Sequence, residues 1–138
     1  MTNNRTLSLL CFVSLTVACL NPLGKEALAG NFSRSCGNIR VEQGQFLHAT
    51  CKDRSANNRN TSLDLNSGIG NKDGHLTRSG GYISTCKNIK WDGGTTLQAD
   101  CRTYSKDWRT GTKLDLNRVI SNQDGNLTFD RNTSWRRR

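Results

Sequence analysis

The sequence predicts a small all-β protein that is built from two copies of one unit. Two cysteine-bounded segments match each other, CGNIRVEQGQFLHATC and CKNIKWDGGTTLQADC. Two later segments also match, TSLDLNSGIGNKDGHLT and TKLDLNRVISNQDGNLT. Short runs in each copy alternate apolar with polar residues, glycine is frequent, and no proline follows Pro22. Together these features are typical of short strands joined by tight turns.

The two repeats span residues 30–79 and 80–130. Their register differs by one residue between the cysteine-bounded block and the later block, which predicts a single insertion in the loop around residues 106–111. Two copies are too few for a solenoid, which needs at least about three stacked units. We therefore expect one closed domain with pseudo-twofold symmetry.

The cysteine-bounded block predicts a β-hairpin with one buried face. In the first copy the apolar residues share one parity, at Ile39, Val41, Leu47, Ala49 and Cys51. The second copy repeats this parity at Ile89, Trp91, Leu97, Ala99 and Cys101, with a turn at Asp92-Gly93-Gly94. Trp91 takes the place of Val41, so it is predicted to lie in the core.

The later block predicts a short helical turn followed by a tight β-turn. Leu65 and Ile69 stand at positions i and i+4, as Leu116 and Ile120 do in the second copy. An Asp-Gly pair then follows in each copy, and glycine accepts the positive φ that tight turns demand. The turn phrase occurs twice, as NKDGHLT and NQDGNLT.

Residues 1–29 are predicted to be a secretory signal peptide. Arg5 gives a positive start, residues 7–20 form an apolar run, and Ala27-Leu28-Ala29 has the small-x-small pattern that signal peptidases cleave. The run is too short for a membrane span, and no other stretch is apolar enough for one. The expected location is secreted or periplasmic, with a lipoprotein anchor at Cys19 as the less favoured alternative.

Four cysteines remain after the signal peptide is removed, and we expect them to form two disulfides. Cys36 and Cys51 are fifteen positions apart, and so are Cys86 and Cys101. This spacing favours the pairs Cys36–Cys51 and Cys86–Cys101, each stabilising the fold by about 3 kcal/mol. A zinc site is the alternative for four cysteines, but the C-x-x-C pairs that it needs are missing. No metal or cofactor is expected.

The chain is basic, with a formal charge of +9. Arg5, Lys25 and Glu26 contribute +1, so +8 remains after residue 29, and four of these charges lie in residues 131–138. A polybasic end, here with Trp135, is typical of a solvated tail. It also raises an alternative function, electrostatic binding to nucleic acid or acidic polysaccharide.

Several motifs together resemble the cyanovirin-N homology family. These are the cysteine spacing, the repeated L-D-L-N, the repeated N-x-D-G-x-L and the start GNFSRSC, and the match covers nearly all of residues 30–130. The resemblance implies a pseudo-twofold fold whose halves each combine a three-stranded sheet and hairpins from both repeats, with a local disulfide. It also implies a lectin that binds α1-2-linked mannose at the tips of high-mannose glycans, without metal, through one pocket in each half.

The resemblance places binding residues at matching positions. The first set, called the Asp124 pocket, is Asn31, Arg34, Ser35, Lys52, Asp53, Arg54, Asn122 and Asp124. The second set, called the Asp73 pocket, is Asn71, Asp73, Gly80, Gly81, Ser84, Thr85, Arg102, Thr103, Tyr104 and Lys106. Carboxylates, amides and hydroxyls suit sugar hydroxyls, which both donate and accept hydrogen bonds.

This sequence departs from the family pattern mainly in the Asp73 pocket. Gly70 and Ser84 stand where the best-known member has acids, and Gly80 and Gly81 replace polar side chains with one residue deleted nearby. In the Asp124 pocket, Lys52 replaces an acid. We therefore expect the Asp124 pocket to bind at least as well as the Asp73 pocket.

The remaining aromatic and titratable residues give weaker indications. Trp108 is predicted to pack, with stacking on a sugar as the alternative. His48 and His75 are the only imidazoles, and a catalytic pair would indicate a small secreted hydrolase. No nucleophile motif supports that reaction, so no enzyme activity is expected. Four N-x-S/T sequons begin at Asn31, Asn60, Asn126 and Asn132.

The expected partners are high-mannose oligosaccharides or mannosylated glycoproteins, with no specific nucleic acid. Two pockets on one body favour strong binding to clustered glycans. Defence against viruses, cell adhesion and recognition of a partner's surface polysaccharide are all roles open to such a lectin. The pseudo-symmetric repeat and its short middle linker fit either a monomer or a hairpin-swapped dimer.

Overall fold

The computed structural model describes residues 30–131 of the chain. The predicted signal peptide of residues 1–29, including Cys19, lies outside the described residues. So does most of the predicted tail, with Asn132 and Trp135. No helix in residues 30–131 is long and apolar enough to cross a membrane.

The described residues form an all-β fold, as predicted, with ten strands and four short 3-10 turns. One antiparallel sheet contains β1 (Cys36–Glu42), β2 (Phe46–Lys52) and β3 (Asn58–Asp64) in that order. Two hairpins and a second sheet follow the same plan: β4 (Ile69–Lys72) with β5 (His75–Arg78), β6 (Cys86–Trp91) with β7 (Thr96–Arg102) and β8 (Trp108–Asp115), and β9 (Ile120–Gln123) with β10 (Asn126–Phe129).

The two predicted disulfides are confirmed. Cys36 lies directly opposite Cys51 in the β1–β2 pairing, and Cys86 lies opposite Cys101 in the β6–β7 pairing. Cys51 and Cys101 are fully buried on the inner faces of the central strands. Each disulfide therefore joins two neighbouring strands of one sheet and closes a loop within one repeat.

The repeated L-D-L-N sequence forms the predicted helical turn and ties the two repeats together. Asp64 Oδ1 accepts from the Asn66 amide nitrogen at 2.9 Å, which caps the 3-10 turn Leu65–Ser67. Asn66 Oδ1 in turn accepts from Ile83 N at 2.9 Å, at the start of the second repeat. In the second copy Asn117 Oδ1 accepts from Ser33 N at 3.1 Å, at the start of the first repeat.

Each late hairpin packs against the three-stranded sheet of the other repeat. Hairpin β9–β10 lies against β3, where Leu127 N donates to Thr61 Oγ1 at 3.1 Å. Strand β5 lies against β8, where Leu76 N donates to Thr112 Oγ1 at 3.1 Å. Each half of the molecule therefore combines both repeats, as the family resemblance implies.

One continuous core connects the two halves. The fully buried large side chains come from both repeats, namely Phe32, Leu47, Leu65, Ile69, Tyr82, Leu97, Leu116 and Ile120. Burial, with the charge of Asp64 as a second cause, raises the pKa of Tyr82 above its usual range. Its hydroxyl donates to the Gly44 carbonyl oxygen, which joins the second repeat to the β1–β2 turn of the first.

The repeats also meet where each late hairpin ends. Arg78 ends β5 and Phe129 ends β10, and the Arg78 guanidinium carbon lies 4.4 Å from the Phe129 ring centroid. Arg78 Nη1 donates to the Gly68 carbonyl oxygen at 2.9 Å. Burial lowers the pKa of Arg78, and the charge of Asp130 partly opposes this shift. Residues at equivalent positions in the repeats thus contact each other directly.

Two details of the sequence prediction need correction. The extra residue of the second repeat lies between Arg109 and Thr112, inside the predicted range 106–111 but within β8 instead of a loop, where the pairing with β7 shifts between Ala99 and Cys101. Gly111, with φ of 70°, donates its amide hydrogen to Asp100 Oδ1 at 2.8 Å there. Because a β-bulge absorbs one residue within a strand, the loop before β8 keeps the length of its counterpart.

The second correction concerns Trp91, which was predicted to lie in the core and does not. The side chains that pack against the buried cluster include its counterpart Val41 but not Trp91. The Trp91 indole is half-buried, and its Nε1 donates to the Gly94 carbonyl oxygen at 3.0 Å. The indole therefore reaches back over the β6–β7 turn.

Replacing Thr112 by valine should destabilise the fold, because the Leu76 amide would lose the hydroxyl that accepts its hydrogen bond in a buried place. Thr112 is buried, and valine has nearly the same shape without the acceptor oxygen. We expect a loss of about 1–3 kcal/mol in the free energy of unfolding, measured by urea denaturation. Thr61→Val at the equivalent, less buried position is the matched control and should cost less. Unchanged urea midpoints for Thr112→Val would contradict this role.

Candidate functional site

The Asp124 pocket is assembled from three separate segments, residues 31–35, 52–54 and 122–124. Asn122 joins them, because its Nδ2 donates to Ser35 Oγ at 2.8 Å and to the Lys52 carbonyl oxygen at 2.9 Å. Lys52 N also donates to the Ser35 carbonyl oxygen at 3.0 Å. Both amide hydrogens of Asn122 are therefore used within the protein, and its role is to hold the segments together.

Asp124 connects the β9–β10 turn to the loop after β2. The turn has φ of 54° at Asp124 and 89° at Gly125, and Gly125 N donates to Asn122 Oδ1 at 2.7 Å. Asp124 Oδ1 accepts from Arg54 N at 2.9 Å. The other oxygen, Oδ2, accepts no hydrogen bond from any residue that the structure describes. Asp124 is exposed, so this oxygen remains available to a ligand.

Asp53 shapes the loop of the Asp124 pocket. Its Oδ1 accepts from Ser55 N at 2.9 Å and Asn57 N at 3.0 Å, and its Oδ2 accepts from Arg59 Nε at 2.9 Å. The hydrogen bond from Arg59, and then the bond from the Asn57 amide, hold the pKa of Asp53 below its ordinary value. Its side chain is only 6% exposed. Asp53 thus positions the loop rather than facing a ligand.

The Asp73 pocket repeats the same joints between the other pair of segments. Asn71 Nδ2 donates to the Arg102 carbonyl oxygen at 2.8 Å, and Gly74 N donates to Asn71 Oδ1 at 2.7 Å. Asp73 Oδ1 accepts from Tyr104 N at 2.9 Å. The repeated N-x-D-G motif therefore has the same structural role in both copies, in which it connects a hairpin of one repeat to a loop of the other.

The loop of the Asp73 pocket is closed by a hydroxyl instead of a carboxylate. Thr103, the counterpart of Asp53, accepts from Asp107 N at 3.1 Å through its Oγ1. Lys106 has φ of 74° and donates its amide hydrogen to the Thr103 carbonyl oxygen at 3.0 Å. Ala56, at the same place in the first loop, has φ of 64°. The two loops share one backbone shape.

Gly81, one of the two glycines of the Asp73 pocket, occupies a left-handed backbone position. Gly81 has φ of 84°, and its counterpart Asn31 has φ of 61°. Both begin a 3-10 turn, at Tyr82–Ser84 and Phe32–Arg34 respectively. Gly81 adopts this conformation without the steric cost of a side chain, but it offers no polar side chain to a ligand. Gly80 precedes it and is exposed.

The rest of this side of the Asp73 pocket is held by its own backbone. Ser84 Oγ donates to the Gly81 carbonyl oxygen at 3.0 Å, and Arg102 N donates to the Thr85 carbonyl oxygen at 3.0 Å. Ser84 and Thr85 are both exposed. Tyr104 is 71% exposed and is the most open large aromatic among the described residues.

Arg102 and Trp108 interact on the outer face of the second sheet. Trp108 is 37% exposed and begins β8, so it lies in a strand instead of the predicted loop and packs against Lys87 and Arg102 at the surface. The Arg102 guanidinium carbon lies 4.8 Å from the centroid of the indole, and Lys87 Nζ lies 4.0 Å from it. Cation–π attraction thus draws the Arg102 side chain onto the indole.

A cavity of about 440 Å³ adjoins the Asp124 pocket and is called the side cavity. It shares Arg34, Ser35 and Lys52 with that pocket, and its other lining residues are Cys36, Gly37, Asn38, Thr50 and Asn58. Family matching missed the last four of these. Their outward strand positions and polar types are the signal that could have found them.

The side cavity distinguishes the two halves. Gly37 and Asn58 border it, whereas the equivalent positions in the second half carry Lys87 and Trp108, which stack on each other. The Lys52 ammonium reaches Asn58 Oδ1 at 3.0 Å, just as Arg102 reaches Trp108. The Asp124 pocket therefore opens sideways onto polar groups where its counterpart meets an aromatic cluster.

The histidines lie in different halves and do not form a catalytic pair. His48 lies on β2, and its Nε2 is 3.3 Å from Glu42 Oε1. Glu42 also accepts from Arg40 Nε at 2.8 Å, and the pKa of Glu42 is lowered first by this bond and then by the charge of His48. His75 is exposed at the start of β5. Within residues 30–131, no cluster of three or more His, Cys, Asp or Glu side chains could hold a metal.

Comparison with known proteins identifies the family. The CVNH domain matches residues 32–128, well over half of the chain. The chain belongs to the CVNH domain family. This confirms the family that the repeated motifs predicted, and the solved CVNH structures show the same fold.

Three solved CVNH proteins illustrate the similarity. The NMR structure of a Gibberella zeae CVNH is 31% identical with a TM-score of 0.65, and the match covers 72% of this chain and 97% of that chain. The T. borchii CVNH is 29% identical with a TM-score of 0.59, covering 72% and 98% respectively. Microvirin in complex with mannobiose is 30% identical with a TM-score of 0.60, also covering 72% and 98%.

The role of Asp53 predicts a pH-dependent contribution to stability. Its folded-state pKa lies below the unfolded value of about 3.9. The ionised group therefore stabilises the fold above the unfolded pKa, and this contribution is lost as pH falls through the folded pKa. Asp53→Asn keeps an acceptor oxygen without the charge, so its deficit in unfolding free energy relative to wild type should shrink at low pH. Urea denaturation at neutral and acidic pH measures this, and a deficit that does not change with pH would contradict it.

Proposed function

We propose that this CVNH chain is a lectin that binds mannose-rich glycans without metal, in the Asp124 and Asp73 pockets. The observation that carries the proposal is the half-used carboxylate in each pocket. Asp124 and Asp73 each anchor a loop amide through Oδ1 and leave Oδ2 without a hydrogen bond from the described residues. A carboxylate oxygen held in this way is a prepared acceptor for a sugar hydroxyl.

The pockets suit a ligand with closely spaced hydroxyls, and α1-2-linked mannose is the candidate from the family resemblance. Their loops and hairpin turns are fixed by hydrogen bonds that Asn122 and Asn71 donate and that Asp53 accepts, so little ordering is needed when a sugar binds. A sugar that misplaces a hydroxyl would leave a polar group unpaired, which selects against it. The mannobiose complex of microvirin supports this ligand class for a related protein.

One pocket in each half makes the molecule divalent for branched or clustered glycans. Since the halves share one core, the two pockets are held on a rigid body. Linked weak sites can strengthen binding by about 10²–10⁴ when both are engaged. The two disulfides suit an oxidising environment, which supports the proposed export of the chain by residues 1–29.

An NMR titration with α1-2-linked mannobiose tests the ligand and the pockets. In the wild-type chain we expect the backbone amides of Arg54 and Gly125 in one pocket, and of Gly74 and Tyr104 in the other, to shift. Asp124→Asn keeps the Oδ1 anchor but replaces the open acceptor with a donor, so shifts should vanish in its own pocket only. Asp73→Asn is the reciprocal variant and serves as the matched control. Binding to mannan that persists in the double variant would rule out these sites.

Salt dependence separates sugar recognition from charge attraction. Binding of neutral mannobiose should change little between about 50 mM and about 200 mM salt, because no phosphate-like charges are neutralised. Removal of residues 132–138 should leave it unchanged as well. Isothermal titration calorimetry at both salt concentrations measures this. A steep fall with salt, or loss of binding on truncation, would instead support the anionic-polymer alternative.

A further inference from the structure

Trp91 lines a cavity that belongs to neither proposed mannose pocket. The cavity, called the Trp91 cavity, has a volume of about 320 Å³. It is lined by Lys90, Trp91, Asp92, Thr96, Gln98 and Lys113. This volume is at the lower end of the range for small-molecule sites, about 300–1,000 Å³. It therefore fits a ligand of about one sugar ring.

The Trp91 indole is fixed in place on the surface. Its Nε1 donates to the Gly94 carbonyl oxygen at 3.0 Å, which holds the ring against the β6–β7 turn. The parity of β6 predicts a core position for Trp91, but its side chain is not among those that pack against the core, and the residue is one of those that line the cavity. A departure of this kind from the local pattern is typical of functional sites. The indole offers an apolar surface with a polar edge, which suits the faces of a sugar.

Two lysines flank the cavity floor. Lys90 and Lys113 lie on the strands on either side of Gln98, and both pair with it in register. Neither lysine forms a salt bridge within the part of the chain that the structure describes. The pKa of Asp100 is lowered mainly by the hydrogen bond from Asn88, and the charge of Lys90 is a smaller cause. Both ammonium groups can therefore meet a ligand from opposite sides.

The carboxylate of Asp92 is directed into its own turn. Its Oδ1 accepts from Gly94 N at 2.8 Å and from Thr96 N at 3.1 Å, and these bonds hold the pKa of Asp92 below its ordinary value. Two lysines and one aspartate leave the lining with a formal charge of +1. The second oxygen of Asp92 and the side chains of Gln98 and Thr96 provide partners for sugar hydroxyls.

The first repeat carries no such arrangement at the equivalent positions. There Val41 replaces Trp91 and packs against the core. Glu42, in place of Asp92, lies 2.8 Å from Arg40 and 3.3 Å from His48, so both basic side chains there contact an acid. Ser62 stands in place of Lys113. The second repeat thus has an aromatic residue and two lysines without salt bridges, whereas the acid and the basic side chains of the first repeat contact each other.

We propose that the Trp91 cavity binds a pyranose that carries an anionic substituent. The sugar ring lies on the Trp91 indole, its hydroxyls bind Asp92, Gln98 and Thr96, and its anionic group lies between Lys90 and Lys113. This site is separate from the Asp124 and Asp73 pockets and does not depend on the proposed mannose binding. It adds recognition of acidic sugars to the same small body.

An NMR titration of the full chain with D-glucuronate, D-glucose 6-phosphate and D-glucose tests the proposal. The Trp91 indole N–H and the amides of Gly94, Thr96 and Gln98 should shift with at least one of the two anionic sugars. Neutral glucose should bind at least about fivefold more weakly, since it lacks the group that pairs with the lysines. Which anion binds identifies a carboxylate or a phosphate as the preferred substituent. No shift with either anion, or equal binding of glucose, would overturn the proposal.

Two variants that introduce the residues of the first repeat sharpen the test, and a third serves as a charge control. Trp91→Val should weaken binding by about tenfold or more, as loss of a central aromatic anchor commonly does. Lys113→Ser should weaken it by about two- to fivefold and leave the fold unchanged, because Lys113 is exposed. Lys72→Ser removes the same charge elsewhere on the surface and should have no effect. Equal losses in Lys72→Ser and Lys113→Ser would overturn the site in favour of general charge attraction.

The readouts separate this site from the mannose pockets. Mannobiose reports at Arg54, Gly125, Gly74 and Tyr104, whereas the acidic sugar reports at the β6–β7 turn. A chain that binds glucuronate but not mannobiose would refute the proposed function and support this inference. The reverse result would do the opposite.

Discussion

The exchange of hairpins between the repeats is the constraint on which the rest of the structure depends. Hairpins β4–β5 and β9–β10 have only four residues in each strand, and an isolated hairpin of this size is at best marginally stable. Each becomes stable by burying its apolar face against the other repeat, with Thr61 and Thr112 accepting from its backbone. Neither repeat can therefore complete its half alone, and the core is continuous across the molecule.

The same exchange builds the candidate pockets. Asn122 and Asp124 fasten the exchanged hairpin to the loop after β2, and Asn71 and Asp73 do so after β7. Groups that close the tertiary structure thus also border the proposed pockets, so stability and the proposed binding share residues. The two oxygens of Asp124 differ in role. Oδ1 accepts a hydrogen bond that holds the loop, and Oδ2 accepts no hydrogen bond from the described residues.

Duplication has kept the scaffold and allowed its surfaces to diverge. The hydrogen bonds that connect the segments recur at equivalent positions in the two halves. Even the left-handed backbone conformation recurs, at Asn31 and at its counterpart Gly81. The outer faces of the sheets differ, because the side cavity of the first half corresponds to the stacked Lys87 and Trp108 of the second. The β6–β7 turn likewise carries an open cavity where the first repeat has closed ion pairs. Two binding surfaces on one body can therefore differ in ligand while folding by the same rules.

The sequence by itself determined the all-β class, the tandem repeat, both disulfides and the family, since spacing and alternation are local properties that the chain carries wherever it folds. Through the resemblance it also indicated candidate pocket residues, but it did not indicate which of their polar atoms lack an internal hydrogen bond. Only the tertiary structure decided that Asp53 and Asn122 are consumed by internal hydrogen bonds, that Trp91 leaves the core and that the extra residue forms a bulge in β8. These outcomes depend on contacts between residues that are distant in the chain and on whether a large side chain fits the space left by its neighbours, which no local pattern records.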